Sequence, residues 1–274
     1  MKIGLVAASG REDALDCAAR AAAHLRRRGA EPLSEQAEIP GCGAFSDALR
    51  PDVLVSLGGD GTILRCVQHA VRFDAPLLGV NLGSLGFLTE EEPGRLEQAL
   101  DAVLAGEYER EPRTLLDVRV RGGESRLALN DAVITRGGYP RLIRVRAWVD
   151  GEVAGQYRAD GLIVSTPTGS TGYSLSAGGP IVSPAVDCMV ITPVCAHSLQ
   201  HRPLVVPGGA SVSLELYGES AIRASLEVDG QTCAVAGSGS RVDVSRASQR
   251  LSLIRLRSPR FFSLVHRKLA EWAT

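Results

Sequence analysis

The apolar pattern of this chain changes once, near residue 108, and that change constrains the fold more than any other feature of the sequence. Before it, short apolar runs alternate with helical patterns. KIGLVA, DVLVSL and PLLGV predict strands, and the apolar spacing over 14–25 and 96–104 predicts helices. Such alternation is typical of a parallel sheet covered by helices. We therefore expect an α/β N-terminal domain of the Rossmann-like type.

The charged stretch GEYEREPRTLLDV marks the boundary, and strand patterns follow it. Runs such as LLDVRV, RLALNDAVIT, LIRVRAWV, GLIVST and SVSLELY are separated by glycine turn signals. They predict a mostly antiparallel β domain. The tail SLVHRKLAEW returns to a helical pattern. The predicted domains are 1–108, an α/β domain; 109–253, a β-rich domain; and 254–274, a C-terminal segment that packs back on the N-terminal domain.

Composition and motif searches exclude several classes of function. The 274 residues carry a formal net charge of −1, which does not favour nucleic acid or an anionic membrane as a partner. The apolar runs are too short for a signal peptide or a membrane span, so we expect a soluble, cytoplasmic protein. The six cysteines lack zinc-site spacing. A Walker A loop, a G-x-G-x-x-G fingerprint, a G-x-S-x-G elbow and an H-E-x-x-H pair are all missing.

The stretch GGDGT, at 58–62, lies where a buried strand should meet a helix. Gly58, Gly59 and Gly61 would let a phosphate approach the backbone N–H groups at the helix start. The charge of Asp60 would repel that phosphate, so its presence favours binding of a magnesium ion or acceptance of a proton from an attacking hydroxyl. The alternative is a tight turn with Asp60 as a solvent-facing cap.

Two further stretches carry polar groups suited to a nucleotide. ADGLIVSTPTGSTGYSLSAGGP, at 159–180, runs from a strand into hydroxyls and free amides around Tyr173, which suit phosphate and ribose oxygens and a base. A merely flexible β–β connection is the alternative. In LNDAVITRGG, Asn130 and Asp131 interrupt a strand pattern with groups able to bind a base edge or a ribose hydroxyl. A bulge or turn explains that pair equally well.

Taken together, these stretches resemble the NAD kinase family. SLGGDGTILR, GVNLGSLGFLTE, LNDAVITRG, DGLIVSTPTGSTGYSLSAGGPIVSP, HSLQHRPLVVP and VDGQ occur in the order that the family uses, through most of the chain. The resemblance implies an enzyme, a phosphotransferase with an alcohol group as acceptor. It would transfer the terminal phosphate of ATP, or of inorganic polyphosphate, to the adenosine-ribose 2′-hydroxyl of NAD to make NADP, with Mg²⁺ as the divalent cation.

The resemblance also implies roles for single residues. Asp60 would be the catalytic carboxylate, and no side chain is assigned as a direct metal ligand. The residues implied for NAD binding are Asp60, Gly61, Phe87, Asn130, Asp131, Asp160, Thr168, Thr171, Gly172, Tyr173 and Ser176. Those implied for the donor and its phosphates are Gly58, Gly59, Gly61, Thr62 and Asp229. Asp131 stands where the family usually has Glu, and Gly172 where alanine is frequent.

Two alternative functions remain at the level of sequence. A lipid or sugar kinase that shares the GGDGT turn would not need the Ser/Thr/Gly-rich segment as a dinucleotide cleft. A non-catalytic NAD(P) sensor would gain little from a carboxylate that faces phosphates. The implied partners are the small-molecule substrates NAD and ATP or polyphosphate, and the resemblance implies a homodimer or homotetramer, with no nucleic acid and no membrane.

Overall fold

The computed structural model describes residues 1–36, 38–83, 86–120, 123–138, 141–198, 200–218, 223–256 and 261–272. The chain divides into two compact units. Unit 1 comprises Met1–Pro112 and Leu251–Thr274, and unit 2 comprises Arg113–Arg250. In the described ranges, no helix combines the length and the apolar character needed to cross a bilayer.

The elements follow one another in the order that the sequence pattern suggests. The strands are β1 Lys2–Ala7, β2 Glu31–Ser34, β3 Gly43–Ala44, β4 Val53–Gly58, β5 Leu77–Asn81, β6 Glu109–Val120, β7 Ser125–Ala128, β8 Asp131–Thr135, β9 Ile143–Val149, β10 Glu152–Ala159, β11 Gly161–Ser165, β12 Cys188–Val194, β13 Leu204–Pro207, β14 Val212–Leu216, β15 Arg223–Val228, β16 Gln231–Gly237 and β17 Arg241–Arg255. The α-helices are α1 Glu12–Arg27, α2 Asp60–Phe73, α3 Leu96–Ala105, α4 Tyr173–Ser176 and α5 Phe261–Trp272.

Unit 1 is a three-layer α/β structure. Its parallel sheet has the order β3-β2-β1-β4-β5, and Leu253 of β17 pairs in parallel with Leu77 beyond β5. α1 and α3 share one core with the strand residues that face them. α2 packs on the other face, where a Cβ at Gly79 would lie 2.5 Å from Cδ1 of Ile63. The strand order reverses between β1 and β4, and open α/β sheets bind ligands at such a point.

Unit 2 is a β structure with two antiparallel layers. One layer has the order β13-β12-β11-β8-β15-β16, and the other contains β10-β9-β14-β17. Alternate residues of the two layers, such as Ile134, Val164, Val145 and Leu214, form one core. The remaining alternate residues of β8 and β11, among them Asp131, lie on the opposite face of the six-stranded layer.

The predicted fold class is confirmed: an α/β N-terminal part is followed by a mostly antiparallel β part, and the C-terminal residues belong to unit 1. The domain bounds 1–108, 109–253 and 254–274 stay a prediction. The compact units described above have slightly different bounds. Pro112 and the charges around it form part of β6 and not a loop, so the polar composition there reflects an exposed strand.

Candidate active site

In unit 1, the GGDGT turn joins β4 to α2, and Asp60 is the first residue of the helix. The Asp60 carboxylate is half-buried and accepts two backbone hydrogen bonds from the loop after β5. Phe87 N–H donates to Oδ2 at 2.8 Å, and Leu88 N–H donates to Oδ1 at 3.1 Å. A Cβ at Gly86 would lie 2.0 Å from Oδ1, so this loop reaches the carboxylate only because residue 86 is glycine. Asp60 and Phe87 therefore lie together.

The three glycines of the turn differ in what surrounds them. A Cβ at Gly58 would lie 2.1 Å from Oγ1 of Thr62. Apart from its own chain neighbours, a Cβ at Gly59 or Gly61 would meet no described residue within 4 Å. Neither Gly59 nor Gly61 has a positive φ that would require glycine. Gly61 is exposed, and Gly59 directly precedes α2. Packing within the chain therefore explains Gly58 and leaves the other two glycines as open backbone beside Asp60.

In unit 2, Asn130 and Asp131 lie at the start of β8, at one edge of the six-stranded layer. The ends of β11 and β15 meet them there, since Ser165 pairs with Asp131 and Val228 with Ala132. Asp229, in the turn after β15, holds the segment in place. Its carboxylate accepts hydrogen bonds from three consecutive backbone N–H groups, those of Leu129 (2.8 Å), Asn130 (2.8 Å) and Asp131 (3.2 Å).

The segment 166–172 packs directly on Asn130. Thr166 donates its backbone N–H to the Asn130 carbonyl at 2.9 Å, and its hydroxyl donates to the Leu129 carbonyl at 2.6 Å. A Cβ at Gly169 would lie 2.0 Å from the Asn130 carbonyl oxygen. A Cβ at Gly172 would lie 3.5 Å from the Asn130 amide nitrogen. The glycines of this stretch thus bring the predicted binding residues to the Asn130 side chain.

Most hydroxyls of the Ser/Thr/Gly-rich segment have partners within the protein. Ser170 donates to the Pro167 carbonyl, Ser174 pairs with Thr192, and Thr171 donates to the Thr168 carbonyl. Thr168 accepts a hydrogen bond from the buried Arg113. Ser176 and Tyr173 are exposed, Tyr173 to 43%. The segment is therefore packed, with a 3₁₀ turn at Gly169–Thr171 followed by the short helix α4.

Asp160 lies at the opposite end of β8 and β11. Its carboxylate accepts a hydrogen bond from Nε of Arg136 at 2.6 Å. Four residues of β8 separate this end from Asp131, a distance of roughly 13 Å at ~3.3 Å per residue. Partial burial raises the pKa of Tyr173, and the nearby charges of Asp160 and Asp131 are among the groups that raise it further. The charges at both ends of β8, those of Asp131 and Asp160, therefore act on the Tyr173 hydroxyl.

The carboxyl groups of this edge have strongly altered acidity. Asp131 is 5% exposed, and burial raises its pKa to about 7, with further contributions from the charges of Asp229 and Glu227. Burial also raises the pKa of Asp229, while its three backbone hydrogen bonds lower it. Among the described residues, no group of three or more Asp, Glu, His or Cys could hold a metal ion.

Several residues of these sites carried no signal in the sequence. Arg113 contacts Thr168 from 55 positions away, and nothing in its surroundings marks it. Arg136 could have been found from the strand pairing, because the register that aligns Thr135 with Gly161 brings its neighbour to Asp160. Gly86 and Gly169 are glycines for steric reasons that only the fold reveals.

Two family models match the chain. The ATP-NAD kinase N-terminal domain covers residues 44–108, and the ATP-NAD kinase C-terminal domain covers residues 129–256. An NAD kinase of Heliobacterium modesticaldum is 43% identical, with 98% of each chain covered. An NAD kinase of Moorella thermoacetica is 46% identical over 83% of this chain and 74% of its own length.

Solved structures give the same answer. Yeast NADH kinase complexed with NADH superposes with a TM-score of 0.82 at 26% identity, covering 93% of this chain and 83% of its own. An NAD kinase from Archaeoglobus fulgidus in complex with ATP superposes with a TM-score of 0.76 at 28% identity, covering 98% and 99%. The chain therefore belongs to the NAD kinase family, and its activity is that of a kinase acting on NAD.

Proposed function

We propose that the protein transfers the terminal phosphate of ATP to the adenosine-ribose 2′-hydroxyl of NAD, with Asp60 as the base that accepts the hydroxyl proton. The observation that carries this assignment is the open backbone of Gly59 and Gly61, which directly precede and follow Asp60 in the chain. Two backbone N–H donors fix the direction of that carboxylate, so it is held ready for a hydroxyl that approaches between the glycines.

In unit 2, the NAD acceptor is assigned to the predicted residues. In unit 1, Asp60, Gly61 and Phe87 keep the NAD-binding roles that the family resemblance implies. Asn130 and Asp131 would bind the adenine or its ribose, with Tyr173 against the base and Thr168, Thr171, Gly172 and Ser176 around it. Asp160, about one strand length away, would bind the nicotinamide end. An extended dinucleotide fits this separation. The NADH bound to the yeast relative supports a dinucleotide ligand for this chain.

The donor is assigned to the GGDGT turn. Backbone N–H groups at the start of α2 would bind the donor phosphates beside Gly58, Gly59, Gly61 and Thr62. The ATP bound to the archaeal relative supports ATP as the donor, and polyphosphate stays an alternative. Asp229 was predicted with this group, but its carboxylate is engaged by three backbone N–H groups, so we assign it to holding Asn130 and Asp131 in position.

Mg²⁺ fits this arrangement as an ion that arrives with ATP. Magnesium in phosphoryl-transfer enzymes is held largely by substrate phosphates and water. Asp60, assigned above as the base, is not assigned as its ligand. When bound, it would neutralise charge on the phosphates during transfer. A cytoplasmic location and a homodimer or homotetramer belong to the same proposal.

The test is NADP formation from NAD and Mg²⁺, with ATP and polyphosphate as donors in parallel, for wild type and Asp60→Asn. We expect product from wild type, and a loss of at least about 10²-fold in kcat in the variant, the usual range for removal of a general base. Thermal unfolding and NADP binding serve as controls for folding. Near-wild-type turnover in Asp60→Asn would remove Asp60 from its role. NAD binding without turnover by the wild type would favour the sensor.

A further inference from the structure

A buried arginine holds the loop formed by residues 86–91. Arg255 is the last residue of β17, and its side chain is only 8% exposed. Its Nη1 donates to the Leu88 carbonyl at 3.3 Å and to Oε2 of Glu90 at 3.0 Å. Its Nε donates to Oε2 of Glu111, in β6, at 2.5 Å. All of these residues belong to unit 1, so the network lies within one compact unit.

The same loop carries the two backbone donors of the Asp60 carboxylate. Phe87 N–H and Leu88 N–H each donate to one oxygen of that carboxylate, at the distances given above. Leu88 therefore contacts Asp60 through its N–H and Arg255 through its carbonyl. The backbone of a single residue thus connects the carboxylate to the guanidinium.

Glu90 fixes the far end of the loop. One of its carboxylate oxygens accepts the hydrogen bond from Arg255, and the other accepts one from Leu256 N–H at 3.0 Å. The backbone N–H groups of Glu90 and Glu91 donate to the Gly79 carbonyl of β5, at 2.8 and 3.2 Å. The loop is therefore tied to β5 on one side and to the end of β17 on the other.

Arginine suits this position because of the shape of its charged group. The guanidinium is planar and has five N–H donors in a fixed fork, so it can bind two carboxylates and a carbonyl at once. A carboxylate left in a buried place without its cation is costly, so Glu90 would turn towards water if the guanidinium were removed. We expect the backbone of the loop to move with it.

We propose that Arg255 is a positioning residue for phosphoryl transfer. By holding Leu88 and Glu90, it keeps the two N–H groups of the loop directed at the Asp60 carboxylate. Arg255 acts through the loop and does not contact the reacting atoms. The inference rests on the proposed function, in which Asp60 accepts the hydroxyl proton, because a base must stay within hydrogen-bond reach of the proton that it takes up.

The test is kcat as a function of pH for Arg255→Met, with NAD and ATP saturating and the rate expressed per site that binds NADP. We expect kcat to fall by about tenfold or more, because misplacing a catalytic group by about 1 Å costs up to about 10²-fold. KM for NAD and for ATP should stay within about twofold of wild type, since Arg255 is assigned to neither substrate.

The pH profile separates positioning from a purely structural role. A carboxylate that loses N–H donors takes up a proton more readily, so the acid side of the kcat profile of Arg255→Met should move to higher pH, by about half a pH unit or more. A smaller active fraction alone would lower kcat equally at every pH and would leave the profile where it is.

Lys268→Met is the matched control. The Lys268 side chain is also 8% exposed and belongs to unit 1, but its ammonium pairs with Glu271 within α5. The variant removes a cation of equal burial, so we expect its thermal unfolding midpoint to fall while kcat and the pH profile stay as in wild type.

Arg255→Lys carries the test if Arg255→Met fails to fold. It keeps a positive charge between Glu90 and Glu111 but loses the planar fork, so we expect kcat to fall by about threefold or more, with a pH shift in the same direction. An unchanged kcat and an unmoved profile in the Arg255 variant that folds would overturn the inference. Near-wild-type turnover in Asp60→Asn, or failure of wild type to make NADP, would overturn the proposed function instead.

Discussion

At the scale of single residues, the glycines of the GGDGT turn divide into two kinds. Gly58 is required by its own neighbours, because any side chain would collide with Thr62. Gly59 and Gly61 are not, since their surroundings are open and their backbone angles suit any residue. Because nothing in the fold requires glycine at these two positions, we infer that a ligand does. In the proposed function, the ribose and the phosphates are the groups that approach this backbone.

From this difference we predict that Gly61→Ala lowers activity without lowering stability. Gly61→Ala places a better helix former in the first turn of α2, so it should preserve the free energy of unfolding or raise it by up to about 1 kcal/mol. The same methyl group obstructs substrate approach, so kcat/KM should fall at least about tenfold. Thermal unfolding and steady-state kinetics check both halves.

Gly58→Ala is the contrasting variant. Its Cβ has no room beside Thr62, so we expect a loss of about 1–3 kcal/mol of stability from overpacking. Wild-type kinetics in Gly61→Ala would show that nothing approaches this backbone closely, and the reason offered for the open glycines would be wrong.

At the scale of elements, the strands and helices with clear periodicity could be predicted, and the contacts between them could not. The run RLALNDAVIT has a strand pattern that Asn130 and Asp131 interrupt, and the structure divides it into β7 and β8 around Leu129 and Asn130. The break is stabilised by Asp229, about a hundred residues further along the chain. The dipeptide Asp229-Gly230 predicts a turn. It does not predict that the Asp229 carboxylate accepts hydrogen bonds from the backbone before a distant strand.

The turn at Asp229 can be compared with a second one of the same kind. Asp150 and Asp229 are each followed by glycine and share a φ of 49°. Asp150 accepts one backbone hydrogen bond, from Ser211, whereas Asp229 accepts three. Since both positions lose the same turn preference on mutation to alanine, the difference between the two variants measures the extra hydrogen bonds.

We therefore expect Asp229→Ala to lower the free energy of unfolding by about 3 kcal/mol or more, and Asp150→Ala by about 1 kcal/mol, because buried N–H groups left without partners cost about 1–3 kcal/mol each. Asp229→Ala should also weaken NADP binding, whereas Asp150→Ala should not. Urea unfolding and a binding titration provide the measurements. Equal losses in the two variants would show that the three bonds do not hold the Asn130 segment.

At the scale of the whole molecule, the buried acid at Asp131 should make stability depend on pH. Its pKa is about 7 in the folded protein and about 4 in an unfolded chain. The folded state thus holds the proton more tightly, so the contribution is fully present below about pH 4 and is lost as the pH rises to about 7. Burial also raises the pKa of Asp229, so this residue too favours the folded state at low pH.

Asp131→Asn should remove much of this dependence. Without nucleotide, the variant should gain stability relative to wild type between pH 5 and pH 7.5, by of the order of 2 kcal/mol, since a pKa change of one is worth about 1.4 kcal/mol. Urea unfolding at several pH values measures this difference. Stability curves that run parallel across the range would show that Asp131 titrates normally.

The path of the chain between the two units has a consequence for how the protein is made. Unit 2 is an insertion, since unit 1 ends at Pro112 and resumes at Leu251. The strand that completes the sheet beside β5, through Leu253, is therefore among the last segments to leave the ribosome. At about 5–20 residues per second, the outer edge of β5 would wait roughly 10–30 s for its partner. Unit 2 itself is complete only at Arg250, three residues before Leu253, so the last strands of both units are made within about a second of each other. The two units are therefore expected to finish folding at nearly the same time, although most of unit 1 is made first.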